Sequence, residues 1–151
     1  MFKKKISKNN IAFKSENFKI TYKEFFKKLS ENRKLFKFKK KTFFLLAENS
    51  YEFINIYVSL IQSDHVVFLL DRNIIKENLL QLINKFKPNF ILYPKNKNYK
   101  ELLKLETFHE FETLRVVCLN KENVIFNKQL LILLPTSGST GSPKFVMLSK
   151  S

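Results

Sequence analysis

The two glycines of this 151-residue chain both fall in one segment, Thr136-Ser137-Gly138-Ser139-Thr140-Gly141-Ser142-Pro143-Lys144. A phosphate group is gripped by several backbone N–H groups aimed at one point, and chain of alternating handedness makes such a nest. Glycine adopts those conformations at little steric cost and lets backbone approach a ligand closely. Ser137, Ser139, Thr140 and Ser142 add hydroxyl donors, and Lys144 adds a positive charge. Pro143 stiffens the exit. In a chain so poor in glycine, two in one loop point to a backbone need. The composition of the segment is also that of a Ser/Gly-rich surface turn, so order and context must carry the reading.

Two common nucleotide loops are excluded by spacing. The pattern G-x-x-x-x-G-K-[ST] needs a hydroxyl residue after the lysine to hold magnesium. Here the glycines are closer together and Phe145 follows Lys144. The dinucleotide pattern G-x-G-x-x-G needs three glycines and opens a helix. This segment has two, and the apolar run Phe145 to Leu148 after it reads as a strand. The expected arrangement is strand, loop, strand.

The elements that position the loop follow from periodicity. Ile11 to Lys14 and Lys19 to Thr21 read as short strands. Thr21 and Glu24 have the spacing of a capping box, opening an amphipathic helix to about Phe36. Thr42 to Ala47, Val66 to Leu70 and Phe90 to Tyr93 are short apolar runs of the kind buried on both faces of a parallel sheet. Between them lie two helical patterns. One is capped by Asn49 or Ser50, the other by Asn73 and closed by Pro88. Tyr99 to Phe111 reads as partly helical, Leu114 to Leu119 and Leu130 to Leu134 as strands. The fold class is α/β, a parallel-type sheet with flanking helices, with no linker or repeat to divide it.

Composition limits the function classes. Hydrophobic residues make up 44% of the chain, with seventeen Phe, so a core is assured. No apolar run nears the eighteen or so residues of a membrane span, and Met1-Phe2-Lys3-Lys4-Lys5 is not followed by a secretory apolar segment. The single cysteine, Cys118, excludes an internal disulfide and fits a reducing cytoplasm; it reads as a buried strand residue. His65 and His109 are too few and too far apart for a metal site. Net charge is +15, from 28 basic and 13 acidic residues. A basic module for nucleic acid or another polyanion is the alternative reading. Scattered lysines, only three arginines and a bias toward Lys, Asn, Ile and Phe favour biased composition over a nucleic-acid surface.

Residues 136 to 146 resemble the signature T-S-G-[ST]-T-G-x-P-K-G-V of the adenylate-forming (AMP-binding) enzymes: acyl- and aryl-CoA synthetases, luciferases and peptide-synthetase adenylation domains. Upstream, Ile20-Thr21-Tyr22-Lys23-Glu24-Phe25 is similar to the family's early L-T-Y-x-E-L. Asn49-Ser50-Tyr51-Glu52-Phe53 is similar to its N-S-x-E-F, and Ile61 to Asp71 to the stretch ending V-P-L-D. Asp64 and His65 replace the glycines usual before that stretch, and Leu69 its proline. Phe145 replaces the glycine after the loop lysine, and Lys150 a histidine. The first changes concern packing. Phe145 is expected to narrow the room beside the nucleotide and restrain the loop.

The resemblance implies activation of a carboxylate by ATP to an acyl-adenylate, then transfer to a thiol of coenzyme A or a carrier's phosphopantetheine arm. Thr136, Ser137, Gly138, Ser139, Thr140, Gly141 and Lys144 would hold the ATP phosphates, with Mg2+ bridging them. The adenine pocket, the magnesium-binding glutamate and the catalytic lysine come later in the family. The expectation is therefore that residues 1–151 are the N-terminal part of an adenylation domain, truncated after the phosphate loop. Such a part has no catalytic residue and is inactive alone, and its C-terminal complement would be a separate chain if the enzyme is split.

Overall fold

The capping box forms as its spacing predicts. In this computed structural model, which describes residues 7–97, 99, 105–122, 127–135 and 144–149, the Glu24 N–H donates to Thr21 Oγ1 at 3.3 Å. The Thr21 N–H donates to Glu24 Oε2 at 2.7 Å. Helix α1 (Tyr22–Leu35) starts there, after a small antiparallel pair of β1 (Ile11–Lys14) and β2 (Lys19–Thr21). Ser50 caps α2 (Tyr51–Gln62), accepting from the Phe53 N–H at 3.1 Å. The expected cap of the third helix gives way. Helix α3 is Lys76–Phe86, its first turn has no side-chain cap, and Asn73 lies in the preceding turn. There its N–H donates to Asp71 Oδ1 at 2.7 Å. That local bond turns the chain before the helix can begin. Lys87, with φ of 44°, closes α3 just before Pro88.

The three apolar runs become β3 (Thr42–Leu46), β4 (Val66–Leu70) and β5 (Phe90–Pro94). They are joined by β6 (Thr107–Glu110), β7 (Leu114–Cys118), β8 (Leu130–Pro135) and β9 (Phe145–Ser149). Among the described residues the sheet runs β6-β7-β5-β3-β4-β8-β9. Its middle four strands, β5, β3, β4 and β8, are parallel. Antiparallel pairing adds β7 and β6 at one side and β9 at the other. Within Tyr99 to Phe111, expected to be helical in part, Thr107–Glu110 is instead a strand at the edge of the described sheet, and residues 100–104 lie outside the described residues. Cys118 ends β7 and is half-buried rather than buried.

Alternate residues of β3 explain the layers. Phe43 and Leu45 pack with Phe53, Ile56 and Leu60 of α2, whereas Phe44 and Leu46 pack with Leu79 and Leu82 of α3. Helices therefore cover both faces, which is why the central strands are apolar throughout. Buried Asn32 and Asn55 join α1 to α2 through a 2.9 Å hydrogen bond. Asp64 stands at φ of 65°, in the left-handed region that explains the glycine usual before this strand. His65, 0% exposed, donates from Nε2 to Phe36 O at 2.9 Å and accepts at Nδ1 from the Lys41 N–H at 3.1 Å. Acceptance at Nδ1 requires the neutral ring, and burial, outweighing the bond to Phe36 O, lowers its pKa. Strand β9 is the exception to good burial. It ends the sheet with Val146, Met147 and Leu148 exposed, Met147 by 69%.

Candidate functional site

In a parallel sheet, loops leaving the C-terminal ends of the strands collect at one edge, and ligands bind there. Adjacent strands β3, β4 and β8 deliver Ala47 to Asn49, Asp71 to Asn73, and Pro135 to that edge. Pro135 and Phe145 are register partners across antiparallel β8 and β9. Pro135 and Phe145 therefore lie at this edge, and the two elements flanking 136–144 are both strands, as expected. Of the candidate residues, Lys144 is described, exposed and immediately before β9. Thr136, Ser137, Gly138, Ser139, Thr140 and Gly141 lie outside the described residues.

The same edge holds groups that the motif reading missed. Arg72 Nη1 lies 3.4 Å from Glu48 Oε1, and Glu48 Oε2 is buried with no hydrogen-bond partner among the described residues. Lys97 Nζ donates to Asn73 Oδ1 at 3.1 Å. The signal for Glu48 and Arg72 is positional: each is the second residue after a parallel strand ends. Glu52 is occupied elsewhere. Its carboxylate accepts from the N–H groups of Glu112 and Thr113 at 2.8 and 2.9 Å, fixing the β6–β7 turn to α2. Among the described residues, no three His, Cys, Asp or Glu side chains cluster as a metal site would require. No helix there is long and apolar enough to cross a membrane.

A family model described as AMP-binding enzyme matches residues 3–151. The chain belongs to the AMP-binding enzyme family. Its fold is that of the N-terminal part of adenylate-forming enzymes. It resembles o-succinylbenzoate coenzyme A synthetase (MenE) from Bacillus subtilis in complex with AMP, at TM-score 0.66 and 21% identity, covering 92% of this chain and 38% of that one. It resembles the N-terminal subdomain of NpsA from Klebsiella oxytoca, in complex with 3-hydroxyanthranilyl-AMSN, at TM-score 0.65 and 16% identity, covering 93% and 36%. Apo MatB from Rhodopseudomonas palustris matches at TM-score 0.68 and 15% identity, covering 94% and 32%. The chain thus spans well under half of each of these structures. No curated protein matches it in sequence.

Within this AMP-binding family chain, Phe145 has a packing role. Its ring packs edge-on against Phe68 of β4 at 5.7 Å and Phe86 of α3 at 5.2 Å between centroids. The side chain is turned into the core beneath α3. A residue that is commonly glycine has become an anchor for the strand leaving the loop.

Proposed function

We propose that this chain is the ATP-gripping N-terminal part of a ligase that activates a carboxylic acid as its adenylate and passes it to a thiol of coenzyme A or a carrier protein. The observation that supports the reading is that β8 and β9, the strands flanking the sequence Thr136-Ser137-Gly138-Ser139-Thr140-Gly141-Ser142-Pro143-Lys144, pair antiparallel with Pro135 opposite Phe145 at the C-terminal edge of the parallel strands. Family membership supports it. In this reading Gly138 and Gly141 shape the backbone. Thr136, Ser137, Ser139, Thr140 and Lys144 hold the β- and γ-phosphates. A carboxylate oxygen attacks the α-phosphorus, the bond to the β-bridging oxygen breaks, and pyrophosphate leaves. The loop's donors orient the leaving group in line and stabilise the charge it gains. Magnesium bound to the phosphates would neutralise part of that charge. The described residues offer it no ligand cluster of their own.

The chain spans well under half of the adenylate-forming structures it resembles, and residues 1–151 alone are proposed to be inactive and to need a complement. The apolar residues exposed on β9 fit that need. Two measurements test the proposal. ATP or pyrophosphate binding by the isolated chain is expected and should be lost in Gly141→Val, because a Cβ fills the space the backbone needs. Binding that survives this change would overturn the loop assignment. Isotope exchange between pyrophosphate and ATP, with a panel of carboxylates, should be absent. Carboxylate-dependent exchange would refute the inactivity.

A further inference from the structure

A second cationic site lies at the opposite edge of the sheet, where α1 and α2 end and β3 and β4 begin. Residues 27–41 hold eight basic residues and one acidic one, Glu31. Glu31 pairs with Lys28 at 3.6 Å. Lys40 and Lys41 turn away, donating to backbone carbonyls of Lys128, Leu130 and Lys121. Of the remaining five, Arg33, Lys34 and Lys37 line a cavity of about 510 Å3 and have no carboxylate partner among the described residues, while Lys27 and Lys39 lie outside its lining. Ser30 and Ser63 bring hydroxyl groups, and the partly exposed Phe38 forms an apolar wall over fully buried Phe36.

The wall is held in place. The Lys37 N–H donates to Lys34 O at 3.3 Å, and the Phe38 N–H to Phe36 O at 2.9 Å. Buried His65 ties Phe36 O and the Lys41 N–H from beneath. The Phe38 ring rests on His65 at 5.0 Å and Phe90 at 5.7 Å. Lys37 and Phe38 therefore sit on a fixed turn.

Charge balance leaves room for an anion. The C-termini of α1 and α2 together contribute about one negative charge. Asp64, next to Ser63, adds another, against three cations. One phosphate fills only part of the cavity, whose size is that of a small-molecule site.

We propose that this cavity binds a small phosphate monoester, its phosphate on Arg33, Lys34 and Lys37 and its uncharged body against Phe38. This site is separate from the β8–β9 loop and does not depend on the activity proposed for it.

Phenyl phosphate is the probe, titrated into the full chain by calorimetry and by amide-shift mapping. Amide shifts should concentrate at Ser30, Lys34, Lys37 and Ser63. Arg33→Ser combined with Lys37→Ser changes two exposed side chains, and circular dichroism checks that the fold survives. The pair should weaken binding at least about tenfold, the loss of one charge-assisted hydrogen bond. Lys144→Ala should leave it unchanged. Shifts confined to Lys144 and β9, an unaffected double variant, or no binding at millimolar probe would overturn the proposal. So would tight binding of a DNA duplex without binding of phenyl phosphate, which would make the patch a polyanion surface.

Discussion

Replacing Phe145 by alanine tests whether this residue anchors the loop's exit strand. Its ring is partly buried against the cluster that includes Phe68, Phe86 and Leu133. Full burial of a phenylalanine is worth about 3–5 kcal/mol on truncation to alanine. Partial exposure reduces this to roughly half. The two edge-on contacts, at 5.7 and 5.2 Å, are each worth about 0.5–1.5 kcal/mol beyond area, partly counted already. The expected loss is about 2–3 kcal/mol, measured as a shift in urea midpoint at unchanged slope. Hydrogen exchange should quicken in β8 and β9 before the β3–β4 centre. Phe145→Leu, which keeps most of the volume, should recover more than half. A loss below about 0.5 kcal/mol, the range of ordinary surface changes, would refute the anchor. Tighter ATP binding by Phe145→Ala at unchanged stability would show that the ring crowds the nucleotide after all.

Other groups give independent expectations. His65 has a folded pKa below 6.5, chiefly from burial, so the unfolded chain takes up the proton first as pH falls. Its contribution is present above pH 6.5 and is lost below it, by up to about 1.4 kcal/mol per pH unit until the folded ring titrates; His65→Gln should flatten that part of a stability–pH curve. Asn55→Ala leaves buried Asn32 without its 2.9 Å acceptor and should cost about 1–3 kcal/mol in denaturant unfolding. Thr21→Ala removes the α1 cap and should cost about 1 kcal/mol, seen most clearly in exchange rates of the first turn.

Much of the fold was legible because the central strands are buried on both faces, which writes them as unbroken apolar runs. Thr21 and Ser50 marked helix starts because their oxygens meet a fixed backbone need. Asn73 misled for a related reason: its neighbour Asp71 captures its N–H first, a competition that composition does not rank. Thr107 to Glu110 carries no strand signal, since an edge strand with exposed polar positions needs only its neighbour's backbone. At the candidate site, the glycines and their flanking strands were readable locally. The Glu48–Arg72 pair was not. It arises because the constant register of β3 on β4, residue 42 on 66 through 46 on 70, continues past the strand ends to bring 48 beside 72.

Strand β9 follows Lys144 and is, among the described residues, the last strand of the sheet. A chain that pairs along its outer edge acts on the same short element that sets where Lys144 stands. Two binding events that share one strand are coupled wherever one of them shifts that strand. Whatever factor an added strand applies to phosphate affinity, phosphate must apply to strand addition. Assembly with a complementary polypeptide and nucleotide capture would then be read from one another, each serving as the other's effector.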